Sequence, residues 1–203
     1  MSDVIASNDL NGSTPSTMLT IYYLTGMGGR LHKGLGEAFL ERGLKVLGRE
    51  LVGEFKSLDF KDQIDLVASD IQAGFSAPDS WIVANSFGAY LFLHAQLQLP
   101  PVVGRVMLLS PIVGEFANEG ARVNYIPPRA RRLAEVAEKG EFPVPLNCQI
   151  HVGEHDWQSN PKNVLALGTK LGIKVHVVTN AGHMLPKDYV STALTSWFGG
   201  ALA

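Results

Sequence analysis

Residues 81–97, WIVANSFGAYLFLHAQL, predict a buried strand that turns at once into a buried helix. The strand is Trp81 to Ala84, and the turn is Asn85-Ser86-Phe87-Gly88. From Ala89 to Leu97 apolar residues nearly surround the helix, which is typical of a helix in the middle of a domain. A serine on such a turn holds its hydroxyl out of the sheet, beside the backbone N–H groups of the helix N-terminus. Ser86 is therefore the first candidate functional residue.

Strands and helices alternate on both sides of this stretch. Apolar, β-branched and aromatic runs predict six strands, at residues 19–24, 44–47, 81–84, 102–109, 149–152 and 174–178. Helical periodicity predicts helices at residues 31–43, 59–74, 89–97, 129–139 and 186–198. This alternation implies βαβ crossovers, hence a mostly parallel sheet covered on both faces. We predict a three-layer α/β/α sandwich with about six strands.

The sequence predicts one domain. Residues 1–17 are rich in Ser, Asn, Asp and Thr and are interpreted as a flexible N-terminal tail, with the domain spanning residues 18–203. Residues 111–145 carry no strand-like run, so we expect this segment to be a small cap or an excursion over the sheet edge. We find no internal repeat or low-complexity linker that divides the chain.

Composition argues against several classes of partner. The 17 basic and 19 acidic residues are mixed along the chain and give a net charge of −2, so no general field attracts nucleic acid or anionic lipid. With Cys148 as its single cysteine the chain forms no intrachain disulfide. It shows neither a signal-peptide pattern nor a window of roughly 18 apolar residues that would span a membrane. We expect a cytoplasmic protein with no nucleic-acid or membrane partner.

Other candidate residues follow the remaining predicted strands. Ligands of open parallel sheets bind at the carboxyl ends of the strands. Three further segments stand at such ends: the glycine loop Gly26–Gly29, the turn Gly153-Glu154-His155-Asp156, and Ala181-Gly182-His183. Together with Ser86 they supply a serine, an acid and a histidine in that order along the chain.

With these residues the chain resembles the α/β-hydrolase superfamily, whose nucleophile elbow is G-x-S-x-G. Here the elbow is Ala84-Asn85-Ser86-Phe87-Gly88, with alanine in place of the first glycine. The superfamily also uses the order serine, acid, histidine. The resemblance implies Ser86 as nucleophile, His183 as general base and Asp156 as the acid that orients the histidine. Glu154 is the alternative acid.

The resemblance also implies an oxyanion hole made of the backbone N–H groups of Met27 and Phe87. Thr25-Gly26-Met27-Gly28-Gly29 is similar to the family's H-G-x-G stretch, although Thr25 stands where a histidine is common. The implied activity is hydrolysis of a small carboxylic ester, or of a thioester or amide, through an acyl-enzyme on Ser86. The substrate would be a small acyl compound, and the reaction requires neither a metal nor an organic cofactor. Apolar residues of 111–145 and the glycine loop are expected to form the substrate pockets.

Three other interpretations of these residues differ in how well the sequence supports them. A protein on the same scaffold that binds a small ligand or partner without turnover stays open, because fold does not fix function. A nucleotide site at the glycine loop conflicts with the spacing. The dinucleotide-binding fingerprint would need glycine at the position of Leu31, and a P-loop would need lysine at the position of Leu35. Zinc at His151, His155 and Asp156 is disfavoured because a strand and its exit turn splay these side chains apart. The oligomeric state is not predicted.

Overall fold

Six parallel strands form the central sheet of the protein. The computed structural model describes residues 19–120 and 122–199, so the predicted tail 1–17 lies outside the described residues. The strands are β1 (Thr20–Met27), β2 (Lys45–Leu51), β3 (Trp81–Asn85), β4 (Arg105–Leu109), β7 (Asn147–Gly153) and β8 (Lys174–Val178). They lie in the order β2-β1-β3-β4-β7-β8, and every neighbouring pair is parallel. This confirms the predicted sheet.

Helices connect the strands. They are α1 (Leu35–Glu41), α2 (Gly53–Ser57), α3 (Phe60–Gly74), α4 (Phe87–Gln96), α5 (Arg132–Glu138), α6 (Pro161–Leu171) and α7 (Lys187–Phe198). The sequence patterns did not predict α2 or α6. α6 carries the usual signals: Asn160 caps it by accepting the N–H of Lys162, Pro161 opens it, and Gly172 follows it at φ 67°. Within the described ranges no helix is both long and apolar enough to cross a membrane.

The two faces of the sheet have separate cores, because successive side chains of a strand point to opposite faces. Tyr22 and Leu24 of β1 belong to the larger cluster of buried residues, which also includes residues of α3, α4, α5 and α6. Ile21 and Tyr23 face the other way and pack with Phe39 of α1 and with α7. Helices thus cover both faces, and the three-layer sandwich is confirmed.

Residues 111–145 differ from their prediction. The segment contains a short antiparallel hairpin of β5 (Phe116–Asn118) and β6 (Val123–Tyr125), so the prediction that it carries no strand was wrong. Strands of three residues are too short to show a periodicity of two. Ring contacts of Phe116 with Tyr125 (5.1 Å) and with Trp157 (5.7 Å) hold the hairpin in place. The helix here, α5, begins later than the predicted residue 129 because Arg129 has φ 59°, which is left-handed backbone.

The first helix is also shorter than predicted. The pattern from residue 31 suggested a helix that contains His32, but α1 begins at Leu35, after Gly34 with φ 58°. Inside the helix, Gly36 has a steric role, because a Cβ there would lie 2.1 Å from the carbonyl oxygen of Leu31. The chain therefore folds back tightly on the end of the glycine loop before the helix starts.

A buried histidine in α4 predicts a pH dependence of stability. His94 is 1% exposed and packs against the rings of Phe60 and Tyr90 at 5.2 and 4.4 Å. Burial, and to a smaller extent the charges of Arg129 and Arg132, lower the pKa of His94 to about 3. The unfolded chain binds this proton below a pKa of about 6.5, so stability falls as pH drops from about 6.5 to 3.

The expected size of this effect is up to roughly 1.4 kcal/mol of unfolding free energy per pH unit for one such group. Urea unfolding at pH 7 and pH 5 measures it. In the His94→Leu protein the difference between the two pH values should shrink. His151, whose pKa burial lowers to about 4, supplies a second contribution that remains in this variant. An unchanged pH difference in His94→Leu would contradict the assignment.

Candidate active site

Ser86 lies on a strained turn between β3 and α4. Its φ of 53° and ψ of −118° are unusual for a residue other than glycine, and such strain persists only where the surroundings enforce it. The N–H of Ser86 donates to the carbonyl of Leu109 at 2.9 Å, and its carbonyl accepts from Tyr90 in the helix at 3.2 Å. These bonds fix the backbone on both sides, so the hydroxyl is held at the carboxyl edge of the sheet.

Small residues flank Ser86 for steric reasons. A Cβ on Gly88 would lie 2.4 Å from the carbonyl oxygen of Thr25, so only glycine lets α4 approach β1 this closely. Ala84 is fully buried in the sheet, in register between Leu24 and Leu108. The structure therefore accommodates the methyl group by which this elbow departs from G-x-S-x-G.

His183 contacts the Ser86 hydroxyl directly. Its Nε2 atom lies 2.8 Å from Ser86 Oγ, although the two residues are 97 positions apart in the chain. The loop after β8 that carries His183 is anchored by the N–H of His155, which donates to the carbonyl of Ala181 at 2.8 Å. Gly153 allows this approach, since a Cβ there would lie 2.2 Å from the carbonyl oxygen of Gly182. Packing of two strand ends thus places the histidine.

Asp156 holds the other side of the imidazole. Its carboxylate is 1% exposed, and its Oδ1 and Oδ2 atoms lie 3.0 and 2.9 Å from His183 Nδ1. Oδ1 also accepts the N–H groups of Gln158 and Ser159, both at 2.9 Å. Burial acts to raise the pKa of Asp156, but the hydrogen bonds from His183 and these N–H groups outweigh it and lower that pKa. With Nδ1–H donating to this anion, Nε2 can accept the Ser86 proton.

The alternative acid, Glu154, lies elsewhere. Its carboxylate accepts the N–H of Asn180 at 2.9 Å, and it is 3.9 Å from His155 Nε2. Neither of these contacts leads to His183. The geometry therefore favours Asp156 as the partner of the histidine.

Two serines that the sequence patterns did not single out support this chain of contacts. The hydroxyl of Ser110 donates to the carbonyl of His183 at 2.9 Å, and Ser159 Oγ donates to the carbonyl of Ser110 at 2.6 Å. Ser159 Oγ also lies 3.4 Å from His183 Nδ1. Ser110 directly follows β4, so the rule that functional residues follow strands could have found it.

The predicted oxyanion donors lie at two neighbouring strand ends. Phe87 is the first residue of α4, so its N–H has no carbonyl partner within the helix. Met27 ends β1, next to Gly26, where a Cβ would be 3.2 Å from Ser86 Cβ. The next N–H, that of Gly28, donates to Leu51 in β2 at 3.2 Å and is therefore already used. Among the adjacent donors, Met27 is the better candidate.

Thr25 holds the glycine loop against β2. The residue is fully buried, and its hydroxyl accepts the N–H of Leu51 at 3.1 Å and donates to the carbonyl of Gly29 at 3.4 Å. Thr25 therefore bridges the glycine loop and the edge strand β2.

Replacing Thr25 by valine should destabilise the protein by about 1–3 kcal/mol, because the buried N–H of Leu51 would lose its acceptor. Valine has the same shape, so packing changes little. Urea unfolding measures the loss, and Thr25→Ser, which keeps the hydroxyl, serves as the control. A loss in Thr25→Ser with none in Thr25→Val would show that the methyl group and not the hydroxyl matters here.

The histidine cluster considered for zinc does not converge. His151 Nδ1 lies 2.7 Å from the Tyr189 hydroxyl, and its ring stacks on His176 at 4.6 Å. His155 is exposed, with Glu154 as its charged neighbour, while Asp156 is engaged by His183. Since the three side chains have different partners, they do not come together as one metal site.

Comparisons with known proteins bear on the fold. No protein-family model matches the sequence, and no curated protein matches it significantly. Solved structures do match. The carboxylesterase CesB from Bacillus subtilis is 14% identical with a TM-score of 0.63, over 92% of this chain and 85% of that one. The chain has the α/β-hydrolase fold.

Two other solved structures also match this chain over about nine tenths of its length. Est1E from Butyrivibrio proteoclasticus is 14% identical with a TM-score of 0.63, over 91% of this chain and 88% of its own. A structure described among carboxylesterases of the thaumarchaeon Nitrososphaera gargenis is 13% identical with a TM-score of 0.58, over 89% of this chain and 90% of its own. At such identities the likeness establishes the arrangement of the sheet and helices.

Proposed function

We propose that this protein is a serine hydrolase that cleaves a small carboxylic ester, or a thioester or amide, through an acyl-enzyme on Ser86. One observation carries the proposal. Ser86 Oγ, the His183 imidazole and the Asp156 carboxylate form a continuous chain of hydrogen bonds at the carboxyl edge of the sheet. A binding protein has no need of a serine, a histidine and an ionised acid in this arrangement.

The first half of the reaction transfers the acyl group to the enzyme. Ser86 Oγ attacks the carbonyl carbon while His183 Nε2 takes the hydroxyl proton. The Asp156 anion stabilises the imidazolium that forms. The N–H groups of Phe87 and Met27 would hold the oxyanion, each typically worth about 3 kcal/mol in the transition state. When the tetrahedral intermediate collapses, the leaving oxygen receives the proton from His183.

The second half regenerates the enzyme. A water molecule loses a proton to His183 and attacks the acyl carbon, after which Ser86 leaves with that proton and the carboxylic acid is released. Every step uses this chain's own residues and water, and the reaction calls for no metal or organic cofactor. The cytoplasmic location and the absence of nucleic-acid and membrane partners remain predictions from composition.

Fluorophosphonate labelling tests the proposal. The reagent reacts with an activated serine, and mass spectrometry of the digested protein locates the adduct. We expect a single adduct on Ser86 in the wild-type protein and none in Ser86→Ala. A folded wild-type protein that stays unlabelled would contradict the proposal and favour a binding protein on the same scaffold.

A further inference from the structure

A cavity next to the triad has His183 in its lining. It has a volume of about 520 Å³ and lies between α1 and α7, on the face of the sheet opposite α3 and α4. His183, Asn85 and Ser110 are among its lining residues. This location differs from the pocket expected between residues 111–145 and the glycine loop. The volume is in the range typical of small-molecule sites.

The walls of this α1–α7 cavity favour an uncharged apolar group. Its apolar lining comes from both helices and from the sheet and consists of Leu35, Ala38, Leu109, Leu185, Val190 and Leu194. Exposed acidic and basic side chains of both signs stand at its outer part: Glu37, Glu41, Lys187 and Asp188. Because three of these four side chains are acidic, the outer part disfavours an anion.

The remaining cation of the lining, Arg42, is already engaged. Its guanidinium donates to the carbonyl of Ala38 at 2.7 Å and to the hydroxyl of Ser191 at 2.6 Å. It thereby ties α1 to α7 and keeps the cavity walls together. A bound carboxylate or phosphate would have to compete with these bonds.

The side on which the cavity opens indicates which part of a substrate it receives. His183, Met184 and Leu185 line it, whereas the predicted oxyanion donors Met27 and Phe87 are not among its described lining residues. In acyl transfer the carbonyl oxygen points to the oxyanion donors, and the leaving group stays beside the histidine that protonates it.

We propose that the α1–α7 cavity is the leaving-group site, and that it selects esters or thioesters of an apolar alcohol or thiol. This inference rests on the proposed function. As the bond from the carbonyl carbon to the leaving atom breaks, its electron pair goes to that atom, which takes the proton from His183 Nε2. The alcohol or thiol is then released through the cavity, and the acyl group remains on Ser86 Oγ.

Two isomeric esters test the assignment. Hexyl acetate places its six-carbon chain on the alcohol side, and ethyl hexanoate places it on the acyl side, so their overall hydrophobicity is matched. Acid release in a pH-stat gives kcat/KM for both and for ethyl acetate as the short reference. The wild-type protein should prefer hexyl acetate to ethyl hexanoate.

Filling the cavity should remove this preference. In Ala38→Phe we expect kcat/KM for hexyl acetate to fall by about tenfold or more, with ethyl acetate within a factor of about three. Val190→Phe fills the cavity from the α7 wall and gives the same test if the first variant does not fold. Ala134→Phe is the matched control, because Ala134 lines a separate cavity of about 420 Å³ between α5 and α6.

The outcomes separate the two proposals. Suppose that Ser86 is labelled by fluorophosphonate, but Ala38→Phe lowers kcat/KM for ethyl hexanoate, or changes kcat/KM for none of the esters selectively. Then the leaving-group assignment is wrong and the hydrolase proposal stands. If wild-type Ser86 is not labelled, the hydrolase proposal fails, and this assignment fails with it.

Discussion

Replacing Ser86 by alanine should lower kcat for a reactive ester by about 10⁶-fold, and His183→Ala should cost about as much. The serine is the attacking atom, and without the imidazole at 2.8 Å nothing removes its proton. Since the two residues act as one unit, the double variant should lose no more than either single variant. Steady-state kinetics on the three proteins measure this.

Matched controls for this series are present in the chain. Ser76 is an exposed serine just after α3 whose hydroxyl donates to the Gln72 carbonyl, and His155 is an exposed histidine. Ser76→Ala and His155→Ala should retain wild-type kcat. If the double variant instead loses the product of the two single-variant factors in kcat, Ser86 and His183 contribute independently. That result would contradict a shared proton transfer.

Replacing Asp156 by asparagine should lower kcat by about 10⁴-fold with little change in fold. The asparagine carbonyl can keep the bonds from the N–H groups of Gln158 and Ser159, now made to Asp156 Oδ1. Its amide would instead donate to His183 Nδ1, which places the ring proton on Nε2. Nε2 then cannot accept the proton of Ser86.

Glu154→Gln is the control for this variant. Glu154 bonds to the N–H of Asn180, and glutamine keeps an acceptor for that bond, so kcat should stay near the wild-type value. The reverse result, an active Asp156→Asn and an inactive Glu154→Gln, would assign the acid to Glu154. Circular dichroism of both proteins checks that their folds are intact.

The central sheet could be predicted because its signals are local. A buried strand such as β3 reads as a run of apolar residues, and a turn with small residues follows it. The hairpin β5–β6 could not be predicted in this way, since its strands are three residues long and contacts with Trp157 hold it. The late start of α5, at Arg132 and not at residue 129, depends on the left-handed backbone of Arg129, which periodicity does not reveal.

The cavity beside His183 could not be predicted from local sequence patterns either. Its lining comes from α1, from α7 and from the ends of β3 and β4. The two helices are more than a hundred residues apart in the chain. No local pattern indicates that Ala38 faces Val190 across a void. Sequence patterns predicted the pocket at residues 111–145 instead, where Ile112 belongs to the larger core and Val113, Phe116 and Tyr125 pack against it.

The sequence by itself determined the alternation of strands and helices, and with it the strand ends at which Ser86, Asp156 and His183 stand. It could do so because hydrophobic periodicity and turn residues act over a few neighbouring positions. Only the tertiary structure decided that Asp156 and not Glu154 meets His183, and that Thr25 holds the glycine loop. These outcomes depend on how separate strand ends pack together, at Gly88 on β1 and at Gly153 on the loop of His183, where one Cβ would force the backbones apart.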